Sequence, residues 1–372
     1  MRIGIDARLY RSSAAGIGRY SQNLIKNLLE IDKVNQYILF MTDEDYREFK
    51  NPKSQILNPK QILNFKIQIT NIPHYSLAEQ TKMPGIIAKE KCDLVHFLNF
   101  NYPVKYKGKF IVTIHDLTLL FYPEAARKTN FAKQWAFRYI LKKACENSSK
   151  IIAVSENTKN DIMKTFNIDS EKIAVIYEAV DDKIISKDKK KVEEIRRYKE
   201  PVILYVGQFR RHKNIEGLLK AFAILRKEMP AKLVLIGKIP KDFRVDNEEI
   251  LKDTLMPGFI ADVELAAWYK IASVFVLPSF YEGFGLPGLE AMMAGTPVVA
   301  SNQSSLPEIF QEAALYFDPS KPSEIADKIK TVISDKVVSG QLIEKGKIQA
   351  KKYSWRKTAE QTLKLYEEFS KE

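Results

Sequence analysis

Short apolar runs of strand length alternate with amphipathic runs of helix length along almost all of this chain, and the alternation stops once and starts again. RIGID (2–6), YILFM (37–41), FKIQI (65–69), DLVHF (93–97), FIVTI (110–114), KIIAV (150–154) and IAVIY (173–177) come first, with helical spacing over 18–31, 77–90, 130–146 and 156–166. That is the pattern of a parallel sheet covered by helices on both faces. Near 181–200 the rhythm gives way to DDKIISKDKKKVEEIRRYKE, a charged stretch suited to a connector and one exposed helix. It resumes with PVILYVG (201–207), KLVLIG (232–237), SVFVLP (273–278) and TPVVAS (296–301), with helices expected near 214–228, 261–271 and from Pro287. The expected fold is α/β, with two doubly wound Rossmann-like domains over 1–180 and 181–352. A C-terminal helix within 353–372, with Leu363, Tyr366 and Phe369 near one face, is expected to pack back toward the first domain. Ligands of such sheets bind outside the carboxyl ends of the strands, so a cleft between facing domains is the expected site.

A length of 372 residues agrees with two cores rather than one. Cys92 and Cys145 stand far apart and outside any C-x-x-C pair, which argues against a disulfide framework or a zinc knuckle and for a reducing, cytosolic compartment. MRIGIDA reads as a strand with no secretory signal before it, and no apolar run approaches the roughly 18 residues that span a bilayer. The chain is therefore expected to be cytoplasmic and soluble or peripheral. Residues 1–180 hold 27 Lys and Arg against 18 Asp and Glu, which is +9 of the net +13. Such a balance suits an anionic membrane, a nucleic acid or a phosphorylated substrate, and equally a solvated lysine-rich surface. In RKTNFAKQWAFRYILKK (127–143), Phe131, Trp135 and Tyr139 are interleaved with basic residues at a spacing that fits core packing better than a membrane face. No nucleic-acid module is recognisable, and no nucleic-acid partner is expected.

Three loops carry chemistry. In RSSAAGIGRYSQN, Gly16 and Gly18 are read as lying just before a helix, where bare backbone and helix N–H groups favour phosphate. A dinucleotide fingerprint is weak there: position 21 is Ser, and the glycines stand ten residues beyond Asp6. In VGQFRRHKNIEGLL (206–219), Arg210, Arg211, His212 and Lys213 lead into a helix, a place for a diphosphate, with Lys213 nearest the helix start. In FYEGFGLPGLEAMMAGTPVVAS (280–301), Glu282 and Glu290 flank Phe284, Gly285 and Leu286. Pro287 is expected at the first helical position and Glu290 in the first turn. Carboxylates only accept hydrogen bonds, so the pair suits vicinal hydroxyls of a hexose and a ribose, with the N–H groups of 284–286 reaching the phosphates between them.

On these residues the chain resembles the family 4 glycosyltransferases, retaining enzymes of the GT-B fold, particularly the bacterial mannosyl and glucosyl transferases of polysaccharide assembly. The likeness runs through GIGRY (16–20), SLAEQ (76–80), HDLTLLFYPE (115–124), VSENTKNDI (154–162), YVGQFRRHKN (205–214), PGFIADVELAAWY (257–269), YEGFGLPGLEAMMAGTPVVAS (281–301), SSLPEI (304–309) and YSWRKTAEQTL (353–363). It implies that the first domain takes the acceptor and the second a nucleoside diphosphate sugar, GDP-mannose being the first choice. By this resemblance Glu282 holds hexose hydroxyls, Glu290 the ribose and Lys213 the diphosphate. Gly16 and Gly18 close over the phosphates, and the backbone at Gly258 and Phe259 meets the base. His115 approaches the C6 hydroxyl with Asp116 bracing its loop. Three departures stand out: Gln208 where relatives are often basic, Glu178 and Ala179 in place of Asn-Gly, and His212 before Lys213, whose charge is expected to vary near neutral pH.

The expected reaction is hexose transfer with retention by same-face attack, the departing phosphate taking the acceptor proton, and with no cofactor. The acceptor is a glycan or a lipid-linked sugar, which allows peripheral contact with an anionic membrane. A rival places a metal on Asp43 and Asp45 of YILFMTDEDY, although acidic residues opening a short helix explain them as well. Another rival is a basic peripheral membrane or glycan-binding relative without activity.

Overall fold

Runs of Ile, Val and Leu buried on both faces form parallel strands, because helices on either side leave no face for water. The computed structural model describes residues 1–11, 14–51, 64–123, 131–181, 184–185, 188–196, 198–240, 243–245 and 248–370. The chain divides into two compact units. One holds Met1–Leu120, Thr129–Glu178 and Trp355–Glu372, the other Phe121–Lys128 and Ala179–Ser354. Phe121 and Tyr122, which the sequence reading keeps in the first domain, go with the second, where both rings meet Tyr281 and Tyr122 also meets His212.

The first unit is built on β1 (Arg2–Asp6), β2 (Gln36–Met41), β3 (Phe65–Ile69), β4 (Leu94–Phe97), β5 (Phe110–Ile114), β6 (Lys150–Ala153) and β7 (Ile173–Val175). They pair in parallel in the order β3-β2-β1-β4-β5-β6-β7, so the winding reverses between β1 and β4. Two of the crossover helices start on a serine cap. Ser76 accepts the Glu79 N–H at the head of Leu77–Lys89, and Ser155 caps Glu156–Phe166, which ends on Asn167 in the left-handed region. The last helix, Trp355–Glu367, belongs to this unit: Thr358 Oγ1 donates to the Tyr177 carbonyl at 2.8 Å, and Tyr366 is fully buried.

The second unit contains β8 (Val202–Val206), β9 (Lys232–Ile236), β10 (Thr254–Gly258), β11 (Val274–Leu277), β12 (Val298–Ser301) and β13 (Ala314–Phe317), ordered β10-β9-β8-β11-β12-β13 and again all parallel. Its reversal lies between β8 and β11. The edge strands β10 and β13 and the helices Pro322–Ser334 and Lys336–Ala350 were not among the expected elements.

Candidate active site

In the second unit the loops leaving β8 and β11 meet at the reversal of the sheet, the place where doubly wound sheets bind ligands. After β8 a short 3-10 turn, Arg211–Lys213, ends on Asn214 at φ 55°, and the helix Ile215–Arg226 follows. Asn214 is the hinge of this corner: its Oδ1 accepts the Gly217 N–H, while Nδ2 donates to the carbonyls of Pro278 and Pro319. The two loops are tied by the Phe280 N–H, which donates to the His212 carbonyl at 2.8 Å. That bond brings together two residues 69 positions apart: Lys213 Nζ lies 2.7 Å from both Oε1 and Oε2 of Glu282. Ser279 Oγ donates to Oε1 at 2.6 Å, and the Glu282 backbone is fixed by Ser304 Oγ and Ser305 Oγ. A buried carboxylate is thus held by an ammonium and a hydroxyl, and the serines that hold it were not singled out from the sequence.

Glu290 is oriented separately, accepting from the Tyr269 hydroxyl at 2.8 Å. The helix starts at Leu286 with Gly285 as its cap at φ 94°, a conformation that suits glycine, so Pro287 comes one position later than expected. Glu290 is consequently the fifth helical residue and the first turn holds no acidic side chain, which removes the dipole argument for its position. Tyrosine, rather than the helix end, sets its geometry. Phe284 is buried with its ring edge-on to Tyr353. Arg210 and Arg211 are exposed, Gly258 ends β10 at φ 80°, and Phe259 projects 86% exposed beyond it. His212 differs from expectation. Burial, with Lys213 and Arg210 adding like charge, pushes its pKa down to about 3, so the ring stays neutral at neutral pH.

In the first unit, Gly16 and Gly18 lie inside the helix Ala15–Ile31 rather than before it. A Cβ at Gly18 would meet the Arg11 carbonyl oxygen at 2.3 Å, whereas a Cβ at Gly16 would meet no atom of the described residues within 4 Å. Gly18 therefore allows the loop from β1 to close onto the helix. His115 follows β5, with Nε2 2.9 Å from the Leu98 carbonyl and Nδ1 2.7 Å from Glu178 Oε1. Burial alone would lower its pKa, but the Glu178 carboxylate outweighs that and raises it. Glu178, a departure noted from the sequence, is therefore the partner of the histidine. Asp116 braces the loop by accepting the Thr118 N–H at 2.8 Å. Behind His115 a fully buried chain of hydrogen bonds runs from Tyr366 through His96 and Thr113 to Tyr20, whose ring lies edge-on to His115 at 4.7 Å.

Asp43 and Asp45 serve the helix Asp43–Lys50. Asp45 is fully buried, forms a capping box with Thr42, and accepts the Arg11 N–H at 3.0 Å, while Asp43 pairs with Asn71. Among the described residues, Asp6, His74 and Glu79 have ligating atoms within 4.8 Å of one another, but the Arg8 guanidinium already bridges both carboxylates at 2.7 and 2.6 Å. Trp135 and Tyr139, expected to pack inward, are 62% and 40% exposed on the helix Phe131–Asn147, with rings stacked at 5.4 Å. Arg127 and Lys128 lie outside the described residues.

Residues 14–183 match the family described as Glycosyltransferase Family 4, and residues 186–349 the family described as Glycosyl transferases group 1. The chain is 29% identical to the O-antigen chain mannosyltransferase B of Escherichia coli, over 94% of this chain and 95% of that one. It is 30% identical to the O-antigen chain mannosyltransferase RfbU of Salmonella typhimurium, over 86% and 88%. A sucrose-phosphate synthase from Thermosynechococcus elongatus shares the fold, with a TM-score of 0.75 over 99% of this chain and 98% of that one at 22% identity.

Proposed function

Since the chain belongs to the family 4 glycosyltransferases and is a transferase of glycosyl groups, we propose that it moves a hexose, mannose from GDP-mannose in the first instance, to a hydroxyl of a glycan or lipid-linked acceptor. Transfer proceeds with retention at the anomeric carbon and without a metal. The observation that carries this reading is the Lys213–Glu282 pair at the reversal of the second sheet. A donor diphosphate offers the Lys213 ammonium a stronger partner, and the move releases carboxylate oxygens of Glu282 to accept hexose hydroxyls. Glu290, oriented by Tyr269, accepts the ribose hydroxyls. As the bond from the anomeric carbon to phosphate oxygen lengthens, negative charge grows on the diphosphate beside Lys213 and the N-terminus of Leu286–Ala294, where fixed positive charge lowers the barrier. The acceptor oxygen bonds to the anomeric carbon on the face the phosphate leaves, and its proton passes to that phosphate.

The structural roles of Asp43 and Asp45 support a metal-independent reaction, because Asp45 is occupied in holding the helix start. No helix among the described residues is long and apolar enough to cross a membrane. The exposed Trp135 and Tyr139, with Arg138 and Lys142 exposed on the same helix, support peripheral contact with an anionic membrane at its cytoplasmic face. A lipid-linked acceptor would be met there.

The test is thermal stabilisation by GDP, UDP, ADP and their hexose conjugates, with and without EDTA. A ligand at about 100 times its Kd adds roughly 2.7 kcal/mol. Stabilisation by one diphosphate in EDTA is the expected result. Stabilisation by none, or only by a nicotinamide cofactor, would overturn the reading, and absence of salt-sensitive sedimentation with anionic liposomes would remove the membrane contact.

A further inference from the structure

The loops that leave β4, β5 and β7 of the first sheet converge on the ring of His115 and fix how many protons it carries. Nε2 faces the Leu98 carbonyl at 2.9 Å, and a carbonyl oxygen only accepts, so Nε2 bears a proton. Nδ1 faces Glu178 Oε1 at 2.7 Å, and an ionised carboxylate only accepts, so Nδ1 bears one as well. Without that second proton, a lone pair and a carboxylate oxygen would oppose each other at 2.7 Å between side chains only 14% and 8% exposed. The other groups around the ring agree with a charged state. Asp116, the second carboxylate acting on it, favours the same charge, Tyr20 packs edge-on against it, and His96 behind it stays neutral. Both N–H groups of an imidazolium are thus committed to the protein, and neither ring nitrogen is left for a ligand.

The open hydrogen-bonding capacity of this corner lies on Glu178 instead. Its side chain is nine-tenths buried, one oxygen takes the His115 proton, and among the described residues Oε2 has no partner. A carboxylate oxygen removed from most of its water is costly unless a donor reaches it. It stands just beyond the carboxyl end of β7, on the side of a parallel sheet where ligands bind. Two carboxylates, Glu178 and Asp116, face one imidazolium here, so a neutral donor such as a hydroxyl is favoured over a phosphate.

We propose that Glu178 is a sugar-binding residue, its Oε2 accepting from a sugar hydroxyl, and that His115 is the positioning residue, an imidazolium that holds Oε1 with one N–H and the Leu98 carbonyl with the other. The ligand class rests on the transferase reading above; the state of the ring does not.

The test uses the full chain with Glu178→Gln, Glu178→Met and His115→Asn. NMR of nitrogen-labelled histidine counts the ring protons, and among the four histidines the signals of His115 are those lost in His115→Asn. At neutral pH the wild type should show both nitrogens of His115 protonated, the second proton leaving only above the ordinary value of about 6.5. Glu178→Gln should lose that proton at lower pH. Its amide then donates to the neutral ring, and its oxygen takes the place of Oε2. Calorimetric titration follows GDP, UDP, GDP-mannose, UDP-glucose and methyl α-mannoside. Glu178→Met should weaken at least one sugar-bearing probe about tenfold or more, Glu178→Gln by no more than about fivefold, and both should bind the bare diphosphates as the wild type does. A loss with the nucleotide conjugates puts the hydroxyl on the hexose that is moved, and a loss with methyl α-mannoside alone puts it on a free glycoside. The proposal is overturned if His115 carries one ring proton in the wild type at neutral pH or if Glu178→Gln leaves its titration unmoved. It is overturned equally if Glu178→Met binds every sugar-bearing probe as tightly as the wild type, or loses the bare diphosphates to the same degree. Absence of all nucleotide binding in the wild type counts instead against the transferase reading, and the histidine signals still decide the proposal.

Discussion

Replacing Lys213 separates what this residue does for stability from what it does for transfer. Its ammonium lies 2.7 Å from both oxygens of a carboxylate whose side chain is 10% exposed, while the lysine side chain is 21% exposed. Hydrogen bonds to charged groups contribute about 1.5–3 kcal/mol net, and Ser279 stays behind to hold one Glu282 oxygen. Lys213→Ala should therefore cost about that much, which for a unit of this size is a fall in Tm of roughly 3–12 °C. Its effect on turnover should be larger. Removing one fixed donor from a site of growing negative charge lowers kcat about 100- to 1000-fold.

A second variant tells the two effects apart. In Lys213→Met with Glu282→Gln no charge is left buried alone, so much of the lost stability should return. Turnover should stay low, because nothing positive remains beside the diphosphate. Calorimetry gives the first quantity and release of nucleoside diphosphate the second. A kcat for Lys213→Ala within about threefold of wild type, far above the range expected for a lost electrostatic donor, would falsify the electrostatic account. Recovery of activity together with stability in the double variant would count equally against it.

His115 has a raised pKa, so its stabilisation is complete below the ordinary value of about 6.5 and lost as pH rises through the higher folded value. The Tm gap between wild type and His115→Asn should be widest in mild acid and close as pH rises; a gap independent of pH would refute the link to Glu178. His96 is pushed down to about 3 by burial, with nearby His115 adding, so the stability from keeping it neutral is present above about pH 6.5 and lost as pH falls. His96→Gln should flatten that acid loss in a pH series of melting curves. Gly18→Ala should destabilise by about 1–3 kcal/mol, because its Cβ would stand 2.3 Å from the Arg11 carbonyl. Gly16→Ala, whose Cβ meets none of the described residues, should be neutral or add up to about 1 kcal/mol. Turnover should persist in EDTA, and loss that manganese restores would return the metal to consideration.

What the sequence made legible follows from how each element earns its place. Central strands such as Ile203–Leu204 and Val274–Val276 are buried on both faces and read as continuous apolar runs. The edge strands are different. Thr254–Gly258 contains Pro257 and pairs with β9 through a shifted register, and Ala314–Phe317 is four residues long with two of them half-buried, so neither shows a strand period. Trp135 and Tyr139 have core-like spacing but lie on the exposed side of their helix, and periodicity alone cannot say which apolar stripe faces the sheet.

Groups of side chains differ in legibility for a related reason. Lys213 and Glu282 could be named because each sits in a loop whose composition is unusual for its position, and the reversal of the sheet brings those loops together. Their supports could not, since Ser279, Ser304 and Tyr269 are ordinary residues until the fold places them beside a buried carboxylate. The buried cluster around Arg8 is the extreme case. Arg8 and Glu79 stand 71 positions apart, and only the β1–β4 reversal with the turn after β3 brings them into one buried network. A group of residues assembled by topology in this way has no local signature, because each member's partners lie on other elements of the chain.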